Sequence, residues 1–463
     1  MSRSSTVTEP PRSSVTETIE IRDPATGATV GTVPVTGAAE LDRRVASARR
    51  ARSGWARTPV AERAAALRAS AALVRENLAE LAATAEAETG RPRAEGAEGV
   101  AAGAATLEQY AELGPVHRGK SLQGDADATD FMVWEPRGVV VALTPWNDPV
   151  AVSCGLLGAA LVTGNTVVYK PSERAPHTGA LLGDLLARAL PAGVLETVQG
   201  HGAVGAALAA RADVDVVAHV GSTATGRSIA RSTAATGAKA LLENGGNDAL
   251  VVDAGVDPGW AAEQAALGAF ANSGQICVSV ERIFVHEAIA EPFLAALVAA
   301  AESRTAAPLV DRRHRDLVHA QVDEAVAAGA ECRTGGAVPD GAGAHYPATV
   351  LAGCTPEMRV MREETFGPVA PVRVVASFDQ GLAEAAHDDY GLAATVLTSS
   401  MSHAQRAWRE LPVGTVKINA VFGGAPGGAA HPRGASGTGY GYGPELLDEM
   451  TQTKVVHLNS APR

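Results

Sequence analysis

The apolar positions change rhythm along this chain, and each rhythm predicts an element. Ile19–Asp23 and Thr29–Val33 are short strand-like runs around the turn Pro24-Ala25-Thr26-Gly27. From about Ala38 to Glu88 the pattern is helical and Ala-rich. Leu67, Ala71, Val74, Leu78 and Leu81 fall three or four residues apart, and Thr58-Pro59 resembles a helix start. Phe131–Leu143 reads as two strands broken by Pro136-Arg137-Gly138, a hairpin signal. Strands and helices then alternate: Thr166–Lys170, Thr178–Ala189, Val214–Val220, Thr223–Ala235 and Ala238–Leu242. A second series runs through Ala249–Val252, Trp260–Phe270, Arg282–His286 and Glu291–Ala300. Val372–Val375, Ala393–Leu397 and Thr415–Asn419 read as further buried strands. Such alternation predicts an α/β protein with parallel, doubly wound sheets covered on both faces, in two units joined near Gly245-Gly246.

Composition narrows the class. The 463 residues are 46% hydrophobic and 19% charged, a globular profile with room for two or three units. A formal net charge of -12 argues against nucleic acid or an anionic membrane as partner. No apolar run approaches the roughly 20 residues of a membrane-spanning helix. Residues 1–18 are polar and lack the apolar core of a signal peptide, which predicts a disordered tail. Cys154, Cys277, Cys332 and Cys354 are far apart with no CxxC pair, so a reducing cytoplasm is expected, and neither a disulfide framework nor a zinc ribbon. His314 and His319 lack a ligand-like partner, and no metal site is expected.

Five segments carry candidate chemistry. Gly274-Gln275-Ile276-Cys277 places a thiol on a loop after a helix; a nucleophilic Cys needs a polar, partly open setting, and the alternative is a buried structural thiol, the reading kept for Cys154 and Cys354. Leu242-Glu243-Asn244-Gly245-Gly246 ends a buried strand. Glu243 there is either a general base or a strand-end partner in an ion pair, and the glycines permit close approach of a ligand. In Thr144-Pro145-Trp146-Asn147 the Asn amide can face a developing oxyanion or simply close a turn. Lys170-Pro171-Ser172-Glu173 ends a strand where open α/β sheets bind ligands, so Lys170 and Glu173 can grip ribose hydroxyls or form a solvated charge pair. Gly221-Ser222-Thr223-Ala224-Thr225-Gly226 joins a strand to a helix and suits either a diphosphate or an ordinary helix cap. The usual G-x-G-x-x-G fingerprint is absent.

Taken in order, these segments resemble the aldehyde dehydrogenase superfamily over nearly the whole chain after the tail. The matching stretches are Pro145–Asn147, Gly164–Glu173, Gly221–Gly226, Leu242–Gly246, Gly274–Cys277, Glu363–Pro368 and Ser436–Gly439, with the customary spacing from Glu243 to Cys277. The resemblance implies an NAD(P)-dependent oxidation of an aldehyde to a carboxylic acid. Cys277 would attack the aldehyde, Asn147 would hold the oxyanion, and Glu243 would activate the water that hydrolyses the thioester. Trp146, Lys170, Ser172, Glu173, Gly221, Ser222, Gly245, Glu364 and Phe366 would hold the nicotinamide cofactor. Glu173 leans the choice towards NAD, since a carboxylate repels a 2′-phosphate; NADP stays possible. The implied divisions are 19–126 with 142–245 for the cofactor, 246–435 for catalysis, and 127–141 with 436–463 for oligomerisation as a homodimer or homotetramer.

Asn244 and Asn247 depart from the family and could alter the water network or the substrate mouth. Gly427–Gly434 replaces the usual run before Ser436-Gly437, so the aldehyde itself is not implied; Arg433 or His431 could meet a substrate carboxylate or lie on the surface. The rivals are a CoA-acylating relative, against which Glu243 speaks, and an idle binding or structural homologue, against which the trio Asn147, Glu243 and Cys277 speaks.

Overall fold

The computed structural model describes residues 17–424, 428 and 431–461, so nearly all of the expected tail lies outside the described residues. The chain opens with an antiparallel pair, β1 (Thr18–Arg22) and β2 (Thr29–Pro34). Four helices follow: α1 (Ala38–Arg57), α2 (Val60–Glu76), α3 (Leu78–Thr89) and α4 (Arg93–Leu113). The helical region expected up to Glu88 is three helices, divided at the expected start near Thr58-Pro59 and again at Asn77. Helix α4 escaped the periodicity because Gly96, Gly99 and Gly103 depress helix propensity. Those glycines let α4 press against its neighbours: a Cβ on Gly99 would meet the Asp148 carboxylate at 2.5 Å, and one on Gly103 would meet Cys154 at 3.1 Å.

Next come β3 (Lys120–Leu122), β4 (Ala128–Pro136), β5 (Val139–Leu143), α5 (Pro149–Val162), β6 (Thr166–Lys170), α6 (Pro176–Ala187), β7 (Leu195–Thr197), α7 (Gly202–Ala209), β8 (Val216–Val220), α8 (Thr223–Thr236) and β9 (Lys239–Glu243). The second series is β10 (Asp248–Val252), α9 (Pro258–Phe270), β11 (Val280–His286), α10 (Ala290–Glu302), β12 (Ala307–Pro308), α11 (Arg312–Ala327), β13 (Glu331–Thr334), β14 (His345–Tyr346), β15 (Thr349–Ala352), β16 (Val369–Val375), α12 (Phe378–Ala386), β17 (Ala393–Leu397), α13 (Met401–Glu410) and β18 (Thr415–Ile418). The chain closes with β19 (Gly437–Thr438), α14 (Glu445–Glu449) and β20 (Thr451–Asn459).

Two large sheets result. The first has the order β19-β9-β8-β5-β6-β7 and the second β13-β15-β16-β11-β10-β17-β18. Each is parallel except for one antiparallel edge strand, β19 or β13. Strands β5, β6, β8, β10 and β17 are buried at every position, as strands covered on both faces must be. In the first sheet the chain runs outward from β5 to β7 and then returns to β8, so the order reverses between β5 and β8. A crevice opens at such a point beyond the carboxyl ends of the strands. Residues 244–247 carry the chain from β9 into β10, which lies beside the central strand β11 of the second sheet.

Two expectations are corrected here. Phe131–Leu143 is not a hairpin: β4 pairs with β3 and β20, whereas β5 lies in the first sheet. Gly138, at φ 140°, redirects the chain and no strand pairing crosses it. The pattern already held the difference, since β5 is uniformly apolar and β4 is half-buried throughout most of its length. Second, Gly437-Thr438 belongs to the first sheet, paired with Glu243 and Leu242, and not to the β4–β20 layer expected for 436–463.

Candidate active site

The Cys277 loop is shaped by backbone geometry. After α9 the chain passes through Asn272, Ser273 and Gly274 at φ 47°, 55° and 73°, a left-handed run that L side chains resist. Gly274 is required twice, because a Cβ there would also lie 2.1 Å from the Gly367 carbonyl oxygen. Gln275 is buried and anchors the turn: its Nε2 donates to the Asn272 carbonyl (3.1 Å) and its Oε1 accepts from the Val310 N–H (2.9 Å). The Gln275 carbonyl accepts from the Asn147 side-chain amide (3.1 Å) and from Asn272 Nδ2 (3.2 Å). Two residues on, Cys277 is half-buried. Burial pushes its thiol up, and the carboxyls of Glu243, Asp248 and Glu364 push the same way, while Lys417 opposes them. At neutral pH the group therefore rests as a thiol, and it becomes a nucleophile when a base or a positive field reaches it.

Asn147 sits on the loop between β5 and α5. Its carbonyl is gripped by Arg91 Nη1 (3.3 Å) and Asn272 Nδ2 (3.4 Å), and Arg91 also pairs with Asp148 (2.9 Å). Its side-chain amide is thereby fixed against the Cys277 loop. Glu243 ends β9, with Val220 of β8 on one side and Gly437 of β19 on the other. Its carbonyl accepts from the Gly221 N–H (3.1 Å), coupling the two loops. Its carboxyl makes no hydrogen bond to a described residue, and burial raises its pKa. The space it occupies is kept by Gly441, where a Cβ would lie 2.1 Å from Glu243 Oε2.

The expected cofactor residues surround the crevice. Lys170 is buried, donating to the Pro171 carbonyl (3.2 Å) with Glu173 at 3.6 Å, and burial lowers its pKa. Ser172 Oγ accepts from the Arg174 N–H (3.2 Å), and Ser222 Oγ caps α8 by accepting from the Thr225 N–H (3.4 Å). The first-turn N–H groups of α8 have no intrahelical acceptor and face an exposed Ser222. Gly245 makes room for Glu364, whose Oε1 accepts from the Gly246 N–H (3.1 Å). Burial raises the Glu364 carboxyl well above its ordinary range. Trp146 and Phe366 meet edge to face at 5.6 Å. Free amides at a helix start, a glycine cradle and aromatic walls suit a dinucleotide.

Several residues that shape the site were not read from the sequence. Glu281, on β11, accepts from the N–H groups of Thr365 and Phe366 (3.0 Å each) and so holds Phe366 at φ 53°. Gln321 Nε2 donates to the Glu364 carbonyl (3.2 Å), and His314 Nε2 donates to the Phe366 carbonyl (2.8 Å). Ser436 Oγ donates to the Gly245 carbonyl (2.8 Å). Periodicity is blind to such long-range partners; only the buried, charged Glu281 on an apolar strand gave a hint. Asn244 and Asn247, which depart from the family, are both buried. Asn244 Nδ2 donates to the Ala435 carbonyl (3.1 Å), and Asn247 Nδ2 to Asp388 (3.1 Å), both buried as structural brackets. His431 and Arg433 are exposed, and most of the stretch between Gly427 and Ala430 lies outside the described residues. Among the described residues no helix is long and apolar enough to cross a membrane, and no cluster of three metal-ligating side chains occurs.

A family model described as the aldehyde dehydrogenase family matches residues 11–456. Among solved structures, a succinate-semialdehyde dehydrogenase from Burkholderia pseudomallei is 34% identical, with a TM-score of 0.92 over 96% of this chain and 95% of its own. An NAD-dependent aldehyde dehydrogenase from Sinorhizobium meliloti is 32% identical, with a TM-score of 0.93 over 96% and 93%. A betaine aldehyde dehydrogenase from Staphylococcus aureus, in complex with NAD+, is 28% identical, with a TM-score of 0.93 over 96% and 92%.

Proposed function

The chain belongs to the aldehyde dehydrogenase family and oxidises an aldehyde to its acid with NAD(P), and on that premise we propose how its residues divide the work. Cys277 is the nucleophile. Its thiol gives up its proton to solvent as the sulfur adds to the aldehyde carbon, giving a tetrahedral adduct whose oxyanion is met by the Asn147 amide and the Cys277 N–H. A bound nicotinamide would supply the hydride acceptor. Glu364 and Phe366, held by Gly246, Gln321, His314 and Glu281, keep that end of the crevice in place. Loss of hydride from the reacting carbon leaves a thioester on Cys277. Glu243, whose pKa burial raises, takes a proton from water as that water attacks the thioester; the acid departs and the Cys277 sulfur, leaving as thiolate, takes up a proton to return to the resting thiol.

The single observation that supports this assignment is the Cys277 loop, where a left-handed turn precedes the thiol and the Asn147 amide is tied to the Gln275 carbonyl two residues before it. At the adenosine end, Glu173 beside Lys170 favours NAD over NADP, because its carboxylate accepts from a 2′-hydroxyl and repels a 2′-phosphate. We assign 19–126 and 142–245 to the cofactor, less β3 (Lys120–Leu122) and together with Val139–Val141 of β5, and 246–435 to catalysis. The β3-β4-β20 layer serves assembly: β20 is an edge strand with Val455 66% and Leu458 55% exposed, suited to a homodimer or homotetramer.

The test is reduced-cofactor formation by purified protein across a panel of aldehydes, with NAD and with NADP, with and without CoA. Turnover without CoA that vanishes in Cys277→Ala supports the hydrolytic assignment. Turnover that needs CoA would transfer the acyl group elsewhere and remove Glu243 from its role.

A further inference from the structure

His219 lies in β8 at the reversal point of the first sheet, in a row that runs Leu242, His219, Leu143, Lys170 across β9, β8, β5 and β6. Side chains in one row of a parallel sheet point to the same face. Leu143 and Leu242 belong to the apolar cluster beneath α7 and α8 on that face, and Gly205 of α7 passes over Leu143 and Lys170. His219 is only 8% exposed, and neither ring nitrogen makes a hydrogen bond of normal geometry to a described residue, although the Ser222 and Leu143 backbone lies close by. Two orphan polar atoms on an apolar sheet face are costly, each by an amount comparable to a lost hydrogen bond. The ring also takes space that any other residue at 221 would fill, since a Cβ on Gly221 would lie 2.7 Å from its Cε1 and 3.0 Å from its Nε2. The imidazole is therefore the floor beneath the Gly221-Ser222 turn, directly under the start of the 14-residue helix α8.

We propose that His219 is a cofactor-binding residue, its ring nitrogens completing their hydrogen bonds with the ADP half of the nicotinamide dinucleotide in the crevice between β5 and β8. This rests on the placement of the cofactor proposed above and adds a residue to it. Burial holds the imidazole down at about 4, against the pull of the Ser222 and Leu143 backbone and with a small push from the Lys170 charge, so it is neutral at physiological pH. A neutral ring offers one N–H and one lone pair, which suit phosphoryl oxygens and ribose hydroxyls alike.

The probe is ADP-ribose, which carries the ADP half and undergoes no hydride transfer, titrated calorimetrically against the full-length protein. His219→Phe and His219→Leu are expected to bind it roughly tenfold more weakly than wild type. Their melting temperatures should be unchanged or higher, because the orphan nitrogens are gone, and His219→Gln should restore most of the affinity. Wild-type affinity in either folded apolar variant overturns the inference. A second reading needs no variant: in the wild-type protein, the 15N resonances of the His219 ring should move on adding ADP-ribose, and a ring that stays unchanged at saturation overturns it equally. Lys170→Ala separates the two levels of argument. If it weakens ADP-ribose binding while the His219 variants do not, only the role of His219 fails. If neither changes binding, the cofactor lies elsewhere and both readings fail.

Discussion

The proposed nucleophile and the proposed base are held in opposite ways. Cys277 follows a loop fixed by three consecutive positive φ angles, the buried Gln275 side chain and two amide donors on one carbonyl. Glu243, at the end of β9, has a well-anchored backbone but a carboxyl with no hydrogen bond to a described residue, in a space left by a glycine. The contrast follows from their tasks. A carbon–sulfur bond must form in one geometry, and a small misplacement of the attacking atom costs much of the rate. A general base must accept a proton and release it, so it benefits from a pKa set by burial and from freedom to move. Strain is stored on the covalent side and slack on the proton-transfer side.

The sharpest division comes from removing each group. Cys277→Ala should abolish reduced-cofactor formation, by roughly 10^4-fold or more, in single-turnover and steady-state measurements alike. Glu243→Gln should spare the first turnover: a burst of about one reduced cofactor per site, then a steady state slowed roughly 10^2- to 10^4-fold as the thioester accumulates. A Glu243→Gln enzyme without a burst would show that the base also deprotonates Cys277, and the division of labour would collapse into one coupled pair.

Gln275→Ala tests the rigid side alone. It leaves the thiol intact but removes the acceptor for the Val310 N–H and the donor to Asn272, orphaning buried groups at about 1–3 kcal/mol each. We expect kcat/KM to fall roughly 10^2-fold, with burst and steady state slowed together and a lowered melting temperature. A normal burst rate would mean the loop holds its shape without this side chain.

This difference in support also governs what the sequence could reveal. The local settings of Cys277, Asn147 and Glu243 were legible because each stands near a strand or helix end within a short local motif, and local motifs survive in one dimension. The parallel sheets were legible because strands covered on both faces are uniformly apolar, as Val139–Leu143 is. What was not legible is whatever depends on distant partners. Glu281 steers Phe366 across 85 positions, His314 reaches it across 52, and Gly441 is needed only because Glu243 folds beside it. The misread hairpin has the same origin: a Pro-Arg-Gly break looks alike whether the next strand pairs back or leaves for another sheet.

On the slack side, Gly441→Ala should sharpen the contrast. The added methyl would enter space held by Glu243 Oε2, and since the backbone around Glu243 is fixed by β8 and β19, the carboxyl must shift. The burst should survive while steady-state turnover falls roughly tenfold, and overpacking should lower stability by about 1–3 kcal/mol. Unchanged turnover would show that the resting position of Glu243 has no bearing on hydrolysis.

The smallest effect concerns Glu281, which ties the Glu364–Phe366 segment to β11. Burial raises its carboxyl from 4.5 to about 7, against the pull of the Thr365 and Phe366 N–H groups. The native state therefore binds this proton more tightly than the unfolded chain does. The resulting stability is fully present below about 4.5 and is lost as pH rises through about 7. Glu281→Gln cannot titrate and keeps one carbonyl oxygen for the two donors. Unfolding free energies of wild type and variant, measured by denaturant at pH 5 and pH 8, should thus differ in slope. Wild type should lose about 1–3 kcal/mol relative to the variant over that interval. The anchor itself should behave in the reverse sense, because the ionised carboxylate is the better acceptor and grips the two N–H groups more firmly at pH 8. Hydrogen exchange at Thr365 and Phe366, corrected for intrinsic rates, should accordingly be slower in wild type than in Glu281→Gln at pH 8 and more nearly equal at pH 5. Parallel stability curves would mean that the two N–H donors, and not burial, set the state of this carboxyl, leaving the Phe366 segment held with the same firmness at every pH.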